Sequence, residues 1–144
     1  MKAVILENEN KEKIMEHFIA HGIEDFILFG KDVNEQYYRL NGIEVLTLNP
    51  LGQEGAKEKL SKIKGSLNSR FFLVYSDAVA CFDIDNIIKR HSSTQVCATL
   101  IEKDNKLCAL LLESEIFDYL SCFVSLEREA LERIAQDGEM QIYK

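Results

Sequence analysis

Short apolar segments alternate along this chain with stretches whose apolar residues recur at helical spacing. That alternation constrains the fold more than any other feature. Residues 3–6, 25–30, 43–49, 71–75, 95–102, 106–113 and 140–143 have the composition of strands. The run Phe26-Ile27-Leu28-Phe29 is continuously apolar, the pattern of a parallel strand covered on both faces. Between the segments, Ile14, Met15, Phe18 and Ile19 share a helical face over residues 10–21, and a short helix fits residues 33–40. Ala56, Leu60, Ile63 and Leu67 repeat the pattern, as do Ile84, Ile87 and Ile88 behind a candidate N-cap, Asp83. Ser114 and Ser125 are candidate caps of two further helices, the second with Glu127 and Glu129 in its first turn. Gly22, Asn41-Gly42, Pro50 and Asp137-Gly138 punctuate these elements. Strands alternating with helices predict an α/β fold: three layers, α/β/α, around a mostly parallel Rossmann-like sheet. Lys103-Asp104-Asn105 is expected to close a late antiparallel hairpin.

At 144 residues, against a prior of roughly 150 per domain, residues 1–144 read as a single domain. The hydrophobic fraction of 47% excludes a disordered chain. A net charge of −7 excludes binding to a nucleic-acid backbone, because no cationic excess exists to displace counterions. The longest apolar runs, such as residues 107–112, fall well short of the roughly 18 residues a membrane span needs. The apolar start ends at Glu7, too soon for a secretion signal, so the expected location is cytoplasmic, with no membrane partner. Cys81, Cys97, Cys108 and Cys122 form no C-x-x-C pair and read as reduced, mostly buried thiols.

In such a fold, ligands bind at the carboxyl ends of the strands, near a switch in strand order. After the first strand the chain reads Glu7-Asn8-Glu9-Asn10, with no glycine to admit phosphates and two carboxylates to repel them. Asp77, after the strand at 71–75, is placed to hold Mg²⁺ against a phosphate or to cap the following turn. His17 and His21 have the i, i+4 spacing of metal ligands, but no third ligand is evident. His21 and His91, near helix C-termini, fit the favourable placement of positive charge there. The acidic runs Glu7–Glu9 and Glu127–Glu132 read as solvated faces. No catalytic nucleophile–base arrangement emerges from spacing.

Around Tyr75-Ser76-Asp77-Ala78-Val79, followed by Ile87, His91 and Cys97-Ala98-Thr99, the chain resembles the sugar-phosphate nucleotidyltransferases, most closely the glucose-1-phosphate cytidylyltransferase branch. There a strand ends in Tyr-Gly-Asp-Gly-Val, with a helix, a histidine and an Ala-Thr strand after it. Met1 to Leu6, His21 to Ile27, Leu60 to Lys64, Glu115 to Tyr119 and the Leu126-Glu127-Arg128-Glu129 helix start resemble the same family in order, so the likeness spans most of the chain. It implies the family's fold, with Ser76, Asp77 and Ala78 as a vestigial nucleotide site and Asp77 as a Mg²⁺ ligand.

The departures fall on the chemistry. The family's Gly-Gly-x-Gly-Thr-Arg loop and following lysine are absent, and Ser76 and Ala78 replace the glycines flanking Asp77. Cys81 stands where the family often has an acid, and residues 103–105 replace its sugar-binding segment. The second metal-binding aspartate would lie beyond Lys144. The expectation is a shortened, degenerate nucleotidyltransferase-like domain without turnover. It would act as a binding or interaction module in nucleotide-sugar or surface-polysaccharide metabolism. Its expected partners are a weakly held nucleotide or sugar phosphate, a second copy, or a full-length relative. Two alternatives stand beside this: a minimal Mg²⁺-dependent transferase centred on Asp77, and an unrelated α/β partner-binding protein.

Overall fold

The computed structural model describes residues 1–30, 34–48, 55–123 and 125–144. Seven strands, β1 (Lys2–Ile5), β2 (Asp25–Phe29), β3 (Glu44–Leu48), β4 (Phe71–Val74), β5 (Ala98–Lys103), β6 (Lys106–Leu112) and β7 (Met140–Tyr143), form one sheet. Their order is β3-β2-β1-β4-β6-β5-β7. The pairs among β3, β2, β1 and β4 are parallel, as is β5 with β7, while β6 runs antiparallel to both its neighbours. The expected mostly parallel sheet with one late hairpin is therefore present. The hairpin turns where expected: Asp104 (φ 54°) and Asn105 (φ 61°) are consecutive left-handed residues, the requirement of a two-residue turn that matches strand twist.

Among the described residues, six α-helices cover the sheet: α1 (Lys11–Ala20), α2 (Glu35–Leu40), α3 (Ala56–Ile63), α4 (Ile84–Thr94), α5 (Ile116–Leu120) and α6 (Leu131–Gln136). Period-2 alternation divides the strand residues between two cores. Phe72 and Val74 face α1, α2 and α4 with Ile14, Phe18, Tyr38 and Ile87. Phe71 and Leu73 face α3, α5 and α6 with Leu60, Phe117 and Ile134. All four residues of β4 are buried, which explains its unbroken apolar sequence.

Local chemistry sets most boundaries. Asp83 caps α4 by accepting from the Asn86 amide at 3.4 Å, and Ser125 accepts from the Arg128 amide at 3.1 Å. Gly22 (φ 84°) and Gly138 (φ 74°) follow α1 and α6 in the left-handed conformation that favours glycine.

Several boundaries differ from expectation. Gln95 is not strand: at φ 55° it closes α4, and β5 begins at Ala98. Ser114 does not cap α5 with its side chain; it contributes its carbonyl to the Phe117 amide at 3.2 Å, and Glu115 stands at the cap position. The helix behind Ser125 opens as a π turn, Leu126–Ala130, before continuing as α6. Two cysteines, Cys97 and Cys108, are buried, whereas Cys81 and Cys122 are exposed, so the thiols are not mostly buried. Val33, Asn49 and Pro50, which figure in the expected second helix and third strand, lie outside the described residues. No helix among the described residues is long and apolar enough to cross a membrane.

Two outcomes follow from the packing. Phe72 is fully buried and meets Phe18 edge-on at 5.0 Å, so Phe72→Ala should cost about 3–5 kcal/mol in urea unfolding. A thiol reagent should modify Cys81 and Cys122 in the folded protein, and Cys97 and Cys108 only after denaturation.

Candidate functional site

The strand order reverses direction between β1 and β4, so their carboxyl ends form the crevice where an α/β sheet receives its ligand. The Leu6 amide donates to the Val74 carbonyl at 3.0 Å, one further rung of the β1–β4 ladder. Asparagines carry the connection onward. Asn8 Oδ1 accepts from the Asn10 amide at 2.7 Å, and Asn8 Nδ2 donates to the Tyr75 carbonyl at 3.4 Å. Asn10 Nδ2 donates to Asp77 Oδ2 at 2.8 Å. The connection into α1 is thereby tied across the end of β4. Glycine in a phosphate loop lets backbone amides approach a ligand; here side-chain amides join protein to protein instead.

The expected site residues Ser76, Asp77 and Ala78 do lie at this corner. Ser76 caps the 3₁₀ turn Asp77–Cys81, its hydroxyl accepting from the Ala78 amide at 3.1 Å. Asp77 presents one carboxylate, and an amide already occupies one of its oxygens. Among the described residues, no set of three imidazole, thiolate or carboxylate donors includes Asp77. A hard cation that wants near-octahedral oxygen ligation finds little here, so these residues do not fit a resident Mg²⁺. Nearby, the Tyr75 hydroxyl donates to Glu127 Oε1 at 2.7 Å. Glu127 is therefore engaged rather than merely solvated. Burial first, and then the Glu127 carboxylate, hold the Tyr75 phenol well above its usual range.

The histidines depart from expectation. His17 and His21 do not converge as a ligand pair. Their rings meet edge-on at 5.1 Å, and His17 Nε2 donates to the Phe82 carbonyl at 2.7 Å. The further donors beside His21 come from another element: His21 Nδ1 lies 3.1 Å from Asp85 Oδ2 and 3.8 Å from Asp83 Oδ1.

His91 is not a cation exposed at a helix end. It is buried, one turn before the end of α4, at the opposite, amino edge of the sheet. Gln141 Nε2 donates to Thr99 Oγ1 at 2.8 Å, which leaves the Thr99 hydroxyl to donate to His91 Nδ1 at 2.7 Å. His91 Nε2–H then donates to Glu113 Oε2 at 2.9 Å. Arg70 completes the chain, with Nε 2.6 Å from the same oxygen and Nη1 2.7 Å from the Ser92 hydroxyl. One polar chain thus joins α4 to β5, β7 and the residues flanking β4 and β6. It borders a cleft of about 540 Å³, lined also by Cys97, Glu115, Asp118 and Glu139. These carboxylates and Glu113 outnumber Arg70, which disfavours phosphates. Burial above all, with the neighbouring carboxylates, raises the Cys97 thiol to about 12, so it is no nucleophile at neutral pH. Both His91 nitrogens are occupied, so the imidazole is a tie between elements rather than a base.

Sequence reasoning missed this network, although its signal was present. His91 lies seven residues after Ile84 and four after Ile87, on the apolar stripe of α4. Arg70, Thr99, Glu113 and Gln141 share strand parity with Phe72, Ile101, Leu111 and Tyr143, which face α4.

The network makes stability depend on pH. Burial lowers the His91 pKa despite the opposing pull of Glu113. Burial opposes ionisation of Glu113, but its hydrogen bonds to Arg70 and His91 prevail and lower its pKa. In each case the unfolded chain binds the proton more readily. Stability is therefore full above the unfolded imidazole value, about 6.5, and falls as pH drops below it. Glu113 adds a second loss below about 4.3. Urea midpoints measured between pH 7.5 and pH 4 should fall accordingly, and His91→Gln should flatten the upper part of the curve.

No family model and no curated protein sequence matches the chain. Solved structures do. A protein designated a nucleotide-diphospho-sugar transferase, from Desulfovibrio desulfuricans G20, superimposes with a TM-score of 0.55 at 10% identity, over 99% of this chain and 79% of that one. The 4-diphosphocytidyl-2C-methyl-D-erythritol synthase of Anaerococcus prevotii DSM 20548 gives 0.60 at 9% identity, over 99% and 85%. The Rv0371c protein of Mycobacterium tuberculosis H37Rv, in complex with manganese, gives 0.54 at 10% identity, over 99% and 86%. At such identities the likeness is one of backbone, and what it establishes is that this chain has the nucleotide-diphospho-sugar transferase fold.

Proposed function

We propose that this chain is a nucleotidyltransferase-like domain that no longer transfers nucleotidyl groups and acts as a binding or interaction module in nucleotide-sugar or surface-polysaccharide metabolism. The resemblance of Tyr75-Ser76-Asp77-Ala78-Val79 and the segments around it to the glucose-1-phosphate cytidylyltransferase branch supports an origin near that branch. The observation that carries the proposal is the tie of Asn8 and Asn10 across the end of β4 to Asp77. That tie occupies the position where amides would cradle phosphates. Phosphoryl and nucleotidyl transfer depend on donors aimed at developing charge, and losing one such donor costs roughly 10²–10³ in rate. Here the loop, its arginine and the following lysine are all absent from the sequence, and Glu7 and Glu9 flank the connection. Tyr37 and Leu40 stand exposed on α2, and Leu46 on the edge strand β3. A second copy or a full-length relative of the same fold is the proposed partner.

Calorimetric titration with CTP, then with the other nucleoside triphosphates, with and without Mg²⁺, tests the loss of the site. The expected outcome is no binding tighter than millimolar and no pyrophosphate release with any sugar phosphate. Micromolar, Mg²⁺-dependent binding that disappears in Asp77→Asn would mean that the site survives, and Mg²⁺-dependent pyrophosphate release lost in the same variant would overturn the proposal.

A further inference from the structure

We propose that His21, Asp83 and Asp85 form a binding site for a divalent transition-metal ion of the zinc class, separate from the crevice at Asp77. The three ligand atoms, one imidazole nitrogen and two carboxylate oxygens, all lie within 4.8 Å of one another. His21 Nδ1 is 3.1 Å from Asp85 Oδ2 and 3.8 Å from Asp83 Oδ1. Metal–ligand bonds of roughly 2.0–2.2 Å in tetrahedral geometry hold neighbouring ligand atoms roughly 3.3–3.6 Å apart. The two distances from His21 bracket that range and the third pair lies within 4.8 Å, so side-chain rotation would bring all three donors to one ion.

The donors come from the ends of two helices. His21 follows the last turn of α1, Asp83 is the N-cap of α4, and Asp85 lies in its first turn. Asp83 is steadied by its bond from the Asn86 amide. The His21 ring is steadied edge-on by His17, whose own nitrogen is held by the carbonyl of Phe82, the residue before Asp83. The ring contact limits how far the His21 imidazole can turn away from the two carboxylates. A neutral imidazole and two carboxylates carry a charge of −2, which a dication cancels. The N-terminus of α4 does not attract a cation, so the donors themselves must carry the binding. The aspartate side chains are 62% and 71% exposed, which leaves room for water to complete the coordination. Nitrogen ligation favours Zn²⁺, Co²⁺ or Ni²⁺ over Mg²⁺ or Ca²⁺.

The test is titration of the purified full chain with Co²⁺, followed by visible absorption, and with Zn²⁺, followed by calorimetry, both in excess Mg²⁺. One saturable equivalent is expected, with a cobalt spectrum of nitrogen–oxygen ligation and a zinc-dependent rise in Tm. His21→Ala and Asp85→Asn should each weaken binding by about tenfold or more, while His17→Phe, which keeps the ring contact, should retain the equivalent. Asp85 is an exposed surface side chain, so Asp85→Asn decides the matter even if His21→Ala fails to fold. Absence of saturable binding, or binding unchanged in Asp85→Asn and in folded His21→Ala, would overturn the proposal. None of these readouts depends on nucleotide binding at Asp77.

Discussion

The burial of the central strands on both faces is the constraint from which the rest of this molecule follows. β4 has no exposed residue, and its neighbours β1 and β6 are almost as deeply enclosed. Water cannot satisfy backbone polar groups there, so each must pair along the sheet. Apolar side chains then fill both layers, and polar chemistry is displaced to the two rims where the strands stop. Among the described residues, no buried side-chain nitrogen or oxygen lacks a hydrogen-bond partner.

The two rims have different characters. At the carboxyl rim, where this architecture ordinarily admits a ligand, asparagine side chains tie the connection after β1 to the end of β4 and engage one oxygen of Asp77. At the amino rim, Gln141, Thr99, His91, Glu113 and Arg70 form a continuous donor–acceptor chain. That chain gathers strands and a helix distant in sequence, and it contains the histidine whose burial couples folding to pH. The carboxyl rim is tied by side-chain amides, and the opposite rim holds the longer polar chain.

Much of the fold was legible in the residues. Phe26 to Phe29 announced a doubly covered strand, and Asp83 and Ser125 act as the helix caps their positions suggested. Asp104 and Asn105 turn the hairpin because both tolerate the left-handed conformation. Boundaries were less legible where two local solutions compete. Gln95 suits a strand by sequence context, but α4 extends to Thr94 and needs a left-handed residue to end it. Ser114 could cap a helix, yet the chain turns one residue later. The candidate sites were legible only as isolated residues. Asp77 stood out, whereas the asparagines that engage it looked like ordinary loop residues.

The sequence alone determined the alternating α/β architecture, the late hairpin and the absence of a glycine-rich phosphate loop, because periodicity, turn chemistry and missing residue types are local properties. Only the tertiary structure decided the company each polar residue keeps. His91 and Glu113 are 22 positions apart, and Asn10 and Asp77 are 67 apart. Strand order and helix crossing bring them within hydrogen-bond distance, and no pattern along the chain encodes which of many possible partners a buried donor will meet. The same reason places His21, which follows α1, against Asp83 and Asp85 at the start of α4, and no pattern along the chain pairs them.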